Sequence, residues 1–206
     1  MTATAPRALT ATVHLVRHGE VENPKGIVYG RLPGYHLSLR GKEQAARAAQ
    51  RLASAPVGAI WASPLERAQE TAAIIAEHHV VEVVTDARLT ESENSFEGAT
   101  RSLAGFLRSP RHWWGLRNPL RPTWGESFSD VAARMMAAVG EAVESAAGGE
   151  VVIVSHQTPV RVARLALARR RVPPWLPQVR PTTGSVTTLV LERGVVVSAT
   201  YFEPGV

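Results

Sequence analysis

Thr12-Val13-His14-Leu15-Val16 runs directly into Arg17-His18-Gly19, and this junction decides how the chain folds. The alternating, β-branched stretch predicts a buried first strand. Its end sets a cation and an imidazole on the turn at the strand's carboxyl edge, where ligands bind in open α/β sheets. Gly19 is expected to let the backbone turn sharply and approach a ligand closely. Far along the chain the fourth strand, Val151 to Val154, ends the same way in Ser155-His156.

Outward from that junction, strands and helices alternate. A Gly/Pro-rich loop from Pro24 to His36 leads to a helix capped by Ser38 and running through Leu52. Val57 to Ala62 reads as the second strand. Ser63-Pro64-Leu65-Glu66 reads as a helix start, with Ser63 as N-cap, Pro64 at the first helical position and Glu66 completing a capping box; this helix is expected to reach about His78. Val80 to Thr85 is the third strand. Residues from about Glu91 to Gly125 are irregular, with prolines and tryptophans among basic residues. They suggest a lid at about 99–125, with a short helix near Arg101 to Arg108. Ser127 or Ser129 caps a long Ala-rich helix that stops at Gly148-Gly149. After Val151 to Val154, Thr158-Pro159 opens a further helix, continuing into Arg169-Arg170-Arg171. Ser185 to Leu191 and Val195 to Tyr201, joined by Arg193-Gly194, read as a hairpin. Alternating β and α units predict a three-layer α/β/α sandwich on a mostly parallel six-stranded sheet with an antiparallel edge. One domain is expected over 12–206, after a flexible tail at 1–11.

Composition narrows the function classes. The chain has no cysteine, which excludes disulfides, thiolate metal sites and cysteine nucleophiles. No apolar run approaches a membrane span, and the first residues have no apolar core of the signal-peptide kind, so a cytoplasmic protein with no membrane partner is expected. The net charge of +5 comes from arginine, since lysine occurs only at Lys25 and Lys42. Basic residues are not interleaved with aromatics as in a recognition module, so no nucleic-acid partner is expected. His14, His36, His78, His79 and His112 lack metal-ligand spacing and read as structural or surface residues.

If both histidine-ended strands are central, His18, His156 and Arg17 share one mouth. Arg67 projects from the first turn of the helix after Ser63, a helix end that favours anions. Two imidazoles, two arginines and a helix N-terminus suit a dianion, most simply a phosphoryl group.

These segments resemble the histidine phosphatase superfamily, also called the phosphoglycerate mutase-like family. The resemblance rests on Val16-Arg17-His18-Gly19-Glu20, on Ser63-Pro64-Leu65-Glu66-Arg67-Ala68-Gln69-Glu70-Thr71-Ala72 and on Arg88-Leu89-Thr90-Glu91. It continues in Gly125-Glu126-Ser127, in Val154-Ser155-His156 with Arg161 shortly after, and in Ser185-Val186-Thr187. Order and spacing extend it over roughly residues 12 to 202. The resemblance implies a metal-independent phosphomonoesterase of the histidine acid phosphatase type, without cofactor, acting on a small phosphorylated metabolite. His18 would attack phosphorus and form a phosphohistidine. Arg17, Arg67 and His156 would hold the phosphoryl oxygens, and Glu91 would protonate the leaving oxygen.

The family pattern is not followed throughout. Val21 and Pro24 stand where the family has Ser or Thr and Asn, and Asn23, one place early, is expected to take the Asn role at the phosphate. Gln157 replaces a glycine. The stretch from Glu91 to Phe96-Glu97-Gly98 is one residue short, which leaves Glu93 as a rival proton donor. Arg31, Arg117 and Arg121 are candidate substrate contacts, with Trp113-Trp114 and Trp124 beside the latter two. The run that marks the mutase subgroup is absent, which favours hydrolysis; phosphoglycerate mutase-type transfer is the second reading and a non-catalytic anion-binding module the third. A monomer or homodimer fits equally.

Overall fold

The computed structural model describes residues 10–100, 125–170 and 180–205. Its six strands form one sheet in the order β3-β2-β4-β1-β5-β6. These are β1 (Thr10–Arg17), β2 (Val57–Ala62), β3 (Val83–Thr85), β4 (Glu150–Ser155), β5 (Val186–Glu192) and β6 (Val195–Phe202). β1, β4, β2 and β3 run parallel, while β5 pairs antiparallel with β1 and β6 antiparallel with β5. The expected mixed sheet with an antiparallel edge is therefore the observed one.

Period-two alternation sorts the side chains of each strand into two cores. Val13 and Leu15 of β1, with Trp61, Val151 and Ile153, pack under α3 (Phe128–Ser145) and α4 (Gln157–Leu167). Val16, Ile60, Val152 and Val154 face the other way, under α1 (Leu39–Leu52) and α2 (Glu66–Ala76). Helices cover both faces, as strands apolar on both sides require.

Local chemistry explains most boundaries. Ser38 and Ser127 cap α1 and α3 by accepting from the amides of Gly41 and Asp130. Arg193 and Gly194 both adopt left-handed backbone, with φ of 49° and 72°, as a two-residue hairpin turn demands. Several sequence boundaries are corrected. α2 begins at Glu66 with Leu65 as N-cap, so Ser63 and Pro64 lie outside the helix, and it ends at Ala76 rather than His78. Val80 is fully exposed and β3 starts only at Val83. α4 stops at Leu167, because Arg169 turns left-handed. A 3-10 turn, Ala87–Leu89, was not expected; Asp86 caps it. Thr10 and Ala11, assigned to the tail, belong to β1. The rest of that tail, nearly all of the lid segment and its short helix, and Arg171 fall outside the described residues.

The β1–α1 connection is built on two glycines. A Cβ on Gly19 would lie 2.3 Å from the Gly41 carbonyl oxygen, and one on Gly41 would lie 2.0 Å from the Glu20 carbonyl oxygen. The close approach that Gly19 permits here is to α1. At Gly41 the helix propensity of alanine would favour substitution by about 1 kcal/mol, but backbone overlap of this kind opposes it by more. Gly41→Ala is therefore expected to lower stability by about 2 kcal/mol despite its helical setting, read as a lowered thermal midpoint.

Candidate active site

Three adjacent parallel strands deliver the site. Arg17 lies opposite Ser155 in the β1–β4 register, and the His18 amide donates to the Ser155 carbonyl at 3.0 Å. The Ser63 amide donates to the Val154 carbonyl at 3.0 Å, which aligns the end of β2. The chain segments after β1, β4 and β2 therefore leave the sheet side by side, carrying His18, His156 and Ser63. The two imidazoles are buried with ring centroids 5.1 Å apart.

His18 Nδ1 lies 2.7 Å from the Gly19 carbonyl oxygen. A carbonyl only accepts, so Nδ1 carries the proton and the neutral ring keeps its lone pair on Nε2. Burial, then the charges of Arg17 and Arg67, hold the His18 pKa well below the ordinary imidazole value. Burial does the same to His156, followed by His18, Arg67, Arg17 and Arg134. His156 Nε2 is 2.7 Å from the Ser63 hydroxyl. Ser63, expected as a helix cap, is thus buried against an imidazole instead; its position two residues short of the N-cap frees the hydroxyl for that contact.

Arg67 is completely buried, unlike an arginine on a solvated helix face. Its Nη2 donates to the Gly30 carbonyl at 2.6 Å, and its guanidinium carbon sits 4.9 Å from the Tyr29 ring centroid. Nε and Nη1 find no acceptor among the described residues. A buried cation with spare donors is a strong anion ligand. Arg17 donates through Nη1 to the Pro181 carbonyl at 2.8 Å.

Arg17, His18 and Glu91 open on one cleft of about 280 Å³, with Tyr29, Asn94 and Arg180 also on its walls. Gln157 and Thr158, the first residues of α4, complete it. Glu93 is not among the described lining residues. Its carboxylate faces Arg31 Nη1 at 3.0 Å and its side chain is 66% exposed. Asn23 is also absent from that lining; its amide is spent within its own loop, donating to the Ile27 carbonyl and accepting from the Ile27 amide. Arg31 reaches the neighbourhood but not as an open cation. Its Nε donates to the Glu91 carbonyl at 2.6 Å, and its Nη2 lies 3.1 Å from Glu126. Arg134 holds the other side of Glu126 with two bonds of 2.7 and 2.9 Å, and donates to the carbonyls of Arg88 and Thr90. Arg117 and Arg121 lie outside the described residues.

The sequence reading did not single out Arg180, Asn94 or Arg134. Arg134 meets Glu126 across the start of α3 at no helical spacing, and Arg180 and Asn94 are recruited by loop geometry, so none of the three left a local signal. His14 is structural, held between Thr188 at 2.8 Å and Glu150 at 2.6 Å. Among the described residues no group of three or more metal-ligating side chains occurs, and no helix is long and apolar enough to cross a membrane.

The profile of the histidine phosphatase superfamily, branch 1, matches residues 13–203. An uncharacterised protein of Mycobacterium tuberculosis is 51% identical over 195 residues, covering 93% of this chain and 96% of that one. Phosphoserine phosphatase 1 of Hydrogenobacter thermophilus is 34% identical over 157 residues, 74% of each protein. A probable phosphoglycerate mutase of Yersinia enterocolitica is 36% identical over 150 residues, 70% of this chain and 68% of that one. Among solved structures, mycobacterial glucosyl-3-phosphoglycerate phosphatase superposes with a TM-score of 0.72 at 28% identity, over 88% of this chain and 90% of that one.

The buried neutral histidines make stability pH-dependent. Their folded pKa values lie below the unfolded value of about 6.5, so the unfolded chain binds more protons beneath that pH. His18 and His156 are each expected to cost up to roughly 1.4 kcal/mol per pH unit as the pH falls below about 6.5, with His14 acting in the same direction. Urea titrations between pH 7.5 and 5 measure the slope; a flat profile would contradict the burial argument.

Proposed function

We propose a hydrolytic role for this chain, which belongs to the histidine phosphatase superfamily: it cleaves a small phosphate monoester through a phosphohistidine on His18. The observation that carries this is the state of His18. Its Nδ1 proton is committed to the Gly19 carbonyl, its Nε2 lone pair is free, and burial, seconded by two guanidiniums, keeps the ring neutral in a cleft.

In the proposed reaction, Nε2 of His18 attacks phosphorus as the bond to the ester oxygen breaks. Arg17 on the cleft wall, and Arg67 and His156 buried beside His18 rather than on the described lining, hold the phosphoryl oxygens, where the charge of a loose transition state spreads. These guanidiniums supply the positive charge that a metal ion supplies elsewhere. Glu91, in its carboxylic acid form, gives its proton to the leaving oxygen. A water then attacks the phosphohistidine, its proton passes to the Glu91 carboxylate, and the P–N bond breaks to return neutral His18. The position of Glu91 on the cleft, against the exposed and paired Glu93, supports Glu91 as the donor.

Two relatives named as phosphatases support hydrolysis. The relative named a probable phosphoglycerate mutase keeps phosphoryl return to a phosphoglycerate as the second reading. An isomerisation assay with a bisphosphate primer separates the two, and hydrolysis predicts no primed isomerisation. A purely anion-binding module predicts no turnover at all.

His18→Ala is expected to reduce turnover of an aryl phosphate by at least about 10⁴-fold and to abolish acid-labile labelling by a radiolabelled substrate. Wild-type rates in that variant would sink the nucleophile assignment. Glu91→Gln should cost about 10²–10⁴-fold on an alkyl phosphate, less on an aryl phosphate whose leaving group needs little protonation. Glu93→Gln should stay within a few-fold of wild type, and a chelator should leave the rate unchanged.

A further inference from the structure

A second cavity, of about 370 Å³, opens where α4 meets the segment before β5. Arg161 and Arg164, three residues apart on α4, share its wall with Arg180, Thr182, Tyr201 and Glu203. Three guanidiniums around one small space repel one another, and a folded protein normally sets carboxylates among them. Here that has not happened. The ion pairs of arginines among the described residues belong to Arg31, Arg40, Arg88 and Arg134. Glu203 shares the cavity and pairs with none of the three.

Arg161 makes the imbalance acute. It is only 8% exposed, and its Nη2 is buried without a hydrogen-bond partner among the described residues. Leaving a charged donor unpaired away from water is costly, and a bound anion removes that cost. Burial first, then Arg180 and Arg164, lower the pKa of Arg161, as a cluster of like charges should. Polar groups of the right kind face the same space. The Tyr201 hydroxyl accepts from the Thr182 amide at 3.0 Å and lies 3.1 Å from the Thr182 hydroxyl, a pair in which one hydroxyl proton is left to donate.

We infer that the cavity walled by Arg161, Arg164 and Arg180 is a second oxyanion site, fitted to a phosphate or carboxylate group and joined to the His18 cleft through Arg180. Arg180 lines both spaces. The residues after it also tie the two together: the Pro181 carbonyl accepts from Arg17, and the Gly184 amide donates to the carbonyls of Arg17 and His18 at 3.0 and 3.1 Å. The site takes either a second anionic group of the substrate itself or a separate small anion. Its existence stands apart from the hydrolytic reading, because occupancy is measured without turnover.

Isothermal titration with inorganic phosphate tests it. Arg164→Glu, folded by circular dichroism, is expected to bind one phosphate fewer per chain than the wild type, whether or not the cleft turns over. Arg161→Gln should lose the same one, and the phosphate that remains should be displaced by vanadate. Equal stoichiometry in the wild type and both variants would overturn the site. KM values then separate the two sources. A KM raised roughly tenfold for phosphoserine but not for an aryl phosphate in Arg164→Glu identifies the substrate's own carboxylate as the occupant. Unchanged KM values with one phosphate lost identify a separate anion.

Discussion

Parallel pairing of β1 with β4 is the constraint from which the rest follows. Because Arg17 faces Ser155 across that pair, both strands stop at the same level and both next residues are histidines. A one-residue slip would turn every side chain of β1 to the opposite face. Val13 and Leu15 would leave one core, Val16 would leave the other, and Arg17 would exchange places with His18. Two apolar cores therefore guarantee a register on which a polar site depends.

What the fold assembles at that edge is an excess of positive charge in a poorly hydrated place. Arg67 is held by a carbonyl and an aromatic face rather than by a carboxylate. Of the carboxylates around the site, Glu126 lies between Arg31 and Arg134, and Glu93 lies on Arg31. A guanidinium neutralised by a buried carboxylate would have little attraction left for a dianion. Keeping such partners at a distance costs folding energy and leaves the guanidinium's charge unneutralised. The same logic recurs around Arg161, with a different set of neighbours.

The sequence made the sheet, the two cores and the two histidine-ended strands legible, because period-two alternation and strand-end residues are local signals. Ser38 and Ser127 were legible as caps for the same reason. Ser63 was misread because a serine before a proline satisfies the cap pattern whether or not the helix starts there; the pull of His156 is tertiary and leaves no mark in the adjacent residues. Glu91 was favoured over Glu93 by its Leu-Thr-Glu setting alone; what the sequence could not carry is that Arg31 takes the carbonyl of Glu91 and the carboxylate of Glu93. Asn23, placed by analogy at the phosphate, closes its own loop on Ile27, a bond that any Asn four residues before a free amide can make. Arg180 had no signal, since it enters the cleft from a segment defined only by where β5 begins.

The junction of Arg31, Glu126 and Arg134 has a consequence for how such a chain diverges. Glu91 and Glu126 stand at the two ends of a 34-residue interval of sequence, and the two arginines bind those ends to each other and to α3. The bridge between Asn94 and Gly125 narrows the same neck. A stretch of chain anchored at its neck is free to change in length and composition without transmitting the change to the carboxylate at its base. The place of Glu91 is thereby set by Arg31 and by the residues on either side of the interval, independently of how long the interval is.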